Sequence, residues 1–287
     1  MPKVMLKRHP RREWTLILIL VLALTLIWPG EALRSGWRTL QANSFRSLFY
    51  SWERLDSASF QLRYTAADQE MAFWLAQRAE EAAAEVARIL PHQSRSKPWL
   101  IIAPDQKTIK NIFGWGDGTG ALGVYVTDTI IILSPQAWDW LPSEQRPVVF
   151  AKQGPLVHEY THYVLDLLAA GNYPRWFSEG LAQYLEYKIL GHEWKEAANS
   201  FWQPLYTLQE LEQQFDQLPN QALAYRQSLS MVSYLAAIQP EDSLRAMINL
   251  LGQGMSFYQA LEEIYGFSGT SFFAQWYSWQ EKDLRWY

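Results

Sequence analysis

The hydrophobic pattern divides the chain into four regimes. Residues 14–28, from Trp14 to Trp28, hold no charge and are apolar around the whole circumference of a helix, which is not the pattern of an amphipathic surface helix. Residues 33–55 then space Leu33, Trp37, Leu40, Phe45, Leu48, Phe49 and Trp52 among polar neighbours, much of it at helical intervals; this predicts a linking helix. From Ser59 to Thr65 apolar and polar positions alternate, the mark of a strand. A long Ala/Glu-rich helix comes next over 67–90, stopped by Pro91, then a strand over Lys97–Ala103, a short helix over 105–113 and two strand-like runs, Val124–Val126 and Ile130–Leu133. After residue 142 the pattern is helical: 143–153, a helix reaching Gly171, then 176–190, 207–215, 222–238, 241–252, 256–265 and 269–284. Gly154-Pro155 interrupts the first of these, so the next helix either starts near Pro155, which a first turn tolerates, or continues through a kink. The expected fold class is α+β: an N-terminal anchor helix, then a small mixed sheet (59–142) and a mainly helical lobe (143–287).

Charge refines the picture of the N-terminus. Lys3, Lys7, Arg8, Arg11 and Arg12 all precede the first acid, Glu13. A basic cluster before an apolar run keeps the N-terminus in the cytoplasm and exports the remainder of the chain. The run is short for a spanning helix of about 17–25 residues and also fits a signal-peptide core. Pro29-Gly30-Glu31-Ala32-Leu33 offers no small-residue cleavage site, and Trp14 and Trp28 bracket the run as interfacial anchors do. The expectation is therefore a basic tail (1–13), an anchor (14–28), a juxtamembrane linker (29–58) and an extracytoplasmic domain (59–287), secreted if the segment is cleaved. The rest of the chain carries 20 basic against 29 acidic residues, which argues against nucleic acid as a partner. There is no cysteine, so disulfides, thiol nucleophiles and Cys-ligated metals are excluded.

Chemistry concentrates in Pro155-Leu156-Val157-His158-Glu159-Tyr160-Thr161-His162. Two histidines four apart lie on one face of a helix, where both rings can reach one Zn²⁺ at about 2.0–2.1 Å. Glu159 sits beside such a metal and can take a proton from attacking water. The chain has five histidines, so this spacing around a glutamate would rarely arise by accident. A catalytic zinc needs a third protein ligand. Glu179, seventeen residues after His162, would reach the metal if the chain returns antiparallel across 171–175, with Gly180 letting the two helices approach. No downstream histidine stands at the metzincin spacing.

His-Glu-Tyr-Thr-His followed by Pro-Arg-Trp-Phe-Ser-Glu-Gly-Leu-Ala-Gln-Tyr resembles the gluzincin zinc metallopeptidases, above all the peptidase MA-like family. The likeness continues at Ala224-Tyr225-Arg226-Gln227-Ser228, Tyr234-Leu235, Gln259-Ala260-Leu261 and Gly266. It implies a thermolysin-like core, with a sheet edge that holds the substrate backbone and Glu179 as third ligand beside His158 and His162. One position departs from the pattern: the acid that orients a zinc histidine four residues after the third ligand is Gln183 here. Asp166, one turn beyond His162, is an alternative. The Gly-x-Met-x-Asn segment of gluzincin aminopeptidases does not occur. For the oxyanion, Tyr225 is the first candidate donor and His192 the second; His9 and His92 carry no role.

The expected function is hydrolysis of a peptide or protein substrate by a membrane-anchored zinc metalloendopeptidase, with Zn²⁺ as cofactor, Glu159 as base and the N-terminal helix as the membrane contact. Three alternatives stay open: an inactive zinc-binding scaffold of the cell envelope, a metal-free helical domain, and hydrolysis of a non-peptide amide or ester.

Overall fold

The computed structural model describes residues 42–94, 96–116 and 120–287. Two compact units are distinguished, Met1–Tyr50 and Ser51–Tyr287. The expected anchor, 14–28, lies outside the described residues; among those described, no helix is long and apolar enough to cross a membrane. In the first unit residues 42–46 are helical and Ser47–Phe49 form a 3₁₀ turn.

The second unit begins with a departure from the sequence reading. Glu53–Asp56, expected as the end of a helix, is strand β1, paired antiparallel with β2 (Gln61–Tyr64). Strands β3 (Trp99–Ala103), β4 (Gly123–Val126) and β5 (Thr129–Leu133) complete a five-stranded mixed sheet of order β1-β2-β3-β5-β4. β2, β3 and β5 run parallel. Every residue of β3 and β5 is buried, as their unbroken apolar runs require of strands covered on both faces. β4 pairs antiparallel with β5 and forms one edge. The two-residue turn between them places Thr127 and Asp128 at positive φ, 42° and 58°, the backbone hand that matches the twist of a tight hairpin.

Helix α1 (Gln69–Ile89) follows β2, and α2 (Gln106–Phe113) follows β3. Asp105 caps α2 by accepting from the Thr108 N–H at 2.7 Å. α3 (Arg146–Gln153) ends at Gly154, whose backbone is extended, and α4 (Leu156–Ala169) starts afresh after Pro155. Of the two readings of this junction, a new helix rather than a kinked one is what forms. The C-cap of α4 is Ala170 at φ 53°, one residue before the expected Gly171. The remaining helices are α5 (Arg175–Leu190), α6 (Leu208–Gln213), α7 (Gln221–Ile238), α8 (Asp242–Gly252), α9 (Phe257–Tyr265) and α10 (Gly269–Gln280).

α4 is the central element. It packs against α1, α5, α8 and strands β4 and β5, so its burial is broad: Leu156, Val157, Tyr160, Thr161, Tyr163, Val164 and Leu165 are buried, whereas Leu168 is only half-buried. Thr161 meets this burial by donating to the Val157 carbonyl at 2.7 Å. His92 reaches the Tyr160 hydroxyl at 3.1 Å, so it has a partner that the sequence did not suggest. α5 in turn lies against α7. A Cβ on Gly180 would stand 2.3 Å from the Ser228 carbonyl oxygen, so this glycine closes α5 onto α7 and not, as expected, onto the helix of the two histidines.

A candidate metal centre in the cleft

α4 and α5 run back on each other through 170–174, and this return brings Glu179 to the two histidines. The ring centroids of His158 and His162 are 4.9 Å apart. The Nε2 atom of His158 lies 3.2 Å from Glu179 Oε2, and that of His162 lies 3.5 Å from Glu179 Oε1. One donor atom from each of the three residues falls within 4.8 Å of the others. Glu179 is 1% exposed and His162 5%. A carboxylate so buried requires positive charge close by. Burial pushes Glu179 up, but the His162 charge, hydrogen bonds from both rings and the Arg175 charge outweigh it and hold the carboxyl well below the usual range. Burial likewise pushes His158 down, and hydrogen bonds to Glu179 and Glu186 reverse this, holding the imidazole well above its ordinary value. Two imidazole nitrogens and one carboxylate oxygen, facing each other across a pocket, are the donor set of a catalytic zinc. The residues present therefore fit the metal that the resemblance implies.

Each histidine is held through its other nitrogen. His162 Nδ1 is 2.8 Å from Ser178 Oγ, and His158 Nδ1 is 3.4 Å from Glu186 Oε2. Neither partner was expected, and the two that were serve elsewhere. Gln183 donates through Nε2 to the Tyr225 carbonyl at 2.7 Å and to the Glu179 carbonyl at 3.3 Å; it ties α5 to α7 rather than orienting a ring. Asp166 accepts from the Tyr125 hydroxyl at 2.9 Å and from the Tyr173 hydroxyl at 2.8 Å. The physical reason is that both nitrogens of His162 are already engaged, Nε2 toward Glu179 and Nδ1 with Ser178, so the ring leaves Asp166 no N–H to accept. Asp166 instead latches α4 to the edge strand, whose Tyr125 stacks on the His162 ring at 6.4 Å.

Glu159 is 6% exposed and points at β4: a Cβ on Gly123 would meet Glu159 Oε1 and the Pro155 Cβ, each at 2.6 Å. Burial raises the Glu159 carboxyl above its usual range, with the charges of His158 and His162 pulling against it; a raised carboxyl is a stronger proton acceptor. Gly123 is thus where the sheet edge passes the general-base candidate with no room for a side chain. Gly123→Ala is expected to lower kcat/KM on the order of 10²-fold, the scale of a misplacement near 1 Å, with zinc content unchanged. Steady-state kinetics and metal analysis of the variant check this.

A cleft of about 560 Å³ opens over the cluster, lined by Gly123, Val124 and Tyr125 of the strand and by His158, Glu159, His162, Arg175, Glu179 and Tyr225. A second pocket of about 470 Å³ adjoins it, sharing His158, Glu159 and Tyr225 and adding Leu122, Pro155, His192 and Trp194. Both oxyanion candidates therefore stand in the cleft walls, Tyr225 in both. Burial and the nearby Glu179 charge push the Tyr225 hydroxyl up, so it keeps its proton and can donate. Arg175 lines the same cleft, with Nη1 2.6 Å from Glu179 Oε1 and Nε 3.4 Å from Asp216 Oδ1; no motif in the chain singles it out. Trp176 is fully buried against Phe257 and Phe272, a packing residue.

The family model of the Peptidase MA superfamily matches residues 142–282. No curated protein matches the chain. Among solved structures, native leukotriene A4 hydrolase from Saccharomyces cerevisiae is similar with a TM-score of 0.45 and 11% identity, over 75% of this chain and 36% of that one. The chain thus spans about a third of the length of that structure, a likeness too distant to bear on chemistry. The family match runs from before α3 to beyond α10 and takes in both histidines, Glu159, Glu179 and Tyr225. Over residues 142–282, just under half of its length, the chain is similar to the Peptidase MA superfamily, and its two histidines and one glutamate stand together as a gluzincin's metal ligands do.

Proposed function

We propose that the protein is a zinc-dependent metalloendopeptidase, anchored to a membrane by its N-terminal segment with the peptidase unit outside the cytoplasm. The observation that carries the chemistry is the convergence of His158, His162 and Glu179 beneath a cleft in which Glu159 is buried against a sheet edge. Zinc held by those three residues would polarise the scissile carbonyl and acidify water. The chain's own groups do the rest. An extended peptide lies along β4, adding its backbone to the open edge of the strand. Glu159 accepts a proton as water oxygen attacks the carbonyl carbon. Tyr225 donates to the oxygen on which negative charge develops. Glu159 then returns the proton to the amide nitrogen as the C–N bond breaks, leaving a carboxylate and an amine. The anchor rests on the uncharged run 14–28 behind its basic cluster. Endopeptidase rather than aminopeptidase action rests on the missing Gly-x-Met-x-Asn segment.

The test is cleavage of an unfolded protein by the purified full chain, before and after a chelator. The expected result is fragmentation that the chelator abolishes and added Zn²⁺ restores. Zinc bound without any cleavage of unfolded proteins or peptides would replace this reading with that of an inactive envelope scaffold.

A further inference from the structure

We infer that Glu186 is the carboxylate that positions the metal-binding ring of His158, a task moved one turn along α5 from residue 183. This deepens the proposed zinc site and rests on it. Four observations carry it. The Nε2 atoms of both histidines face Glu179, and their Nδ1 atoms face away, to Ser178 and Glu186. Residue 183, where the resemblance places the orienting acid, is an amide whose side chain is spent on the carbonyls of Glu179 and Tyr225. Glu186 Oε2 lies 3.4 Å from His158 Nδ1, with only 13% of the Glu186 side chain exposed. Among the described residues, no Lys or Arg lies at ion-pair distance of Glu186; its partner is His158. A carboxylate mostly withdrawn from water needs a donor or a cation, and the group at ion-pair distance of Glu186 is the His158 imidazole.

The arrangement gives the two rings unlike support. A carboxylate behind a metal-bound imidazole fixes its tautomer and raises its basicity; a hydroxyl fixes orientation and adds no charge. His158 is therefore the stronger donor of the pair, and α5 supports both rings: Ser178 holds one, Glu179 offers the third ligand, Gln183 fastens the helix to α7 and Glu186 holds the other ring. Because the partner sits seven residues after Glu179 instead of four, a search for an acid at the usual place passes over it.

The test is the Zn²⁺ affinity of the full chain in detergent, by competition with a chelator, for the parent, Glu186→Gln and Glu186→Asp, together with the melting temperature of each metal-free protein. The expected result is one zinc in the parent, binding about 10–100-fold weaker in Glu186→Gln, partial recovery in Glu186→Asp, and cooperative melting of all three metal-free proteins. Affinity within about twofold of the parent in Glu186→Gln, in a parent that binds zinc, overturns the role of Glu186 and leaves the three-ligand site standing. So does a weaker affinity in a Glu186→Gln protein that no longer melts cooperatively without metal, which marks a general structural part. A parent that takes up no zinc overturns the site itself, and the inference with it.

Discussion

Replacing Glu159 with glutamine is expected to leave zinc bound and to lower hydrolysis by about 10²–10⁴-fold, the range that a positioned general base contributes. The substitution suits the site. Glu159 is buried between α4 and the edge strand, with its carboxylate where a Gly123 side chain would otherwise stand. Glutamine fills the same space, so neither the strand nor the neighbouring His158 need move. What is lost is the proton acceptor, whose strength burial has raised. The check is kcat/KM on a peptide substrate beside zinc content for parent and variant. Undiminished turnover in a zinc-loaded variant would remove Glu159 from the mechanism.

Glu179→Ala is expected to abolish both metal binding and activity, a larger effect than the about 10–100-fold loss from an outer partner of a ligand. Glu179 is the residue on which the cluster converges: both Nε2 atoms and the Arg175 guanidinium approach its two oxygens. Without it, the two Nε2 atoms lose the carboxylate they share, and Arg175 is left with Asp216. Zinc titration and hydrolysis of parent and variant read the effect directly. A variant that holds zinc as tightly as the parent would show that the third ligand lies elsewhere.

The parts of this site that can be read from the chain are those fixed within one element. His158, Glu159 and His162 fall on one helix at a spacing that only a helix makes meaningful. Glu179 requires one further step, an antiparallel return through a short turn, and the Glu-Gly segment marks it. The supporting residues are not legible in this way. Ser178 and Glu186 reach the rings only because α5 returns along α4, and Asp166, at the apparently right helical interval from His162, binds two tyrosines instead. Gly180 is legible as a point of close approach, but its neighbour is α7 and not the expected α4, since a glycine shows that room is needed and not which helix fills it. In the fold, the helices and the buried strands β3 and β5 stand out through long runs of matching period and through caps such as Asp105. β1 does not: Glu53-Arg54-Leu55-Asp56 has three charged residues in four at a sheet edge, where burial imposes little alternation.

The three-ligand centre is tested most directly by the zinc content of the purified full chain after exhaustive removal of loosely held metal. One zinc per chain is expected, held by His158, His162 and Glu179 and accompanied by hydrolysis of unfolded protein. A chain that takes up no zinc even when refolded with the metal present, and cleaves nothing, would contradict this and leave the His-Glu-x-x-His helix as a packed element without chemistry.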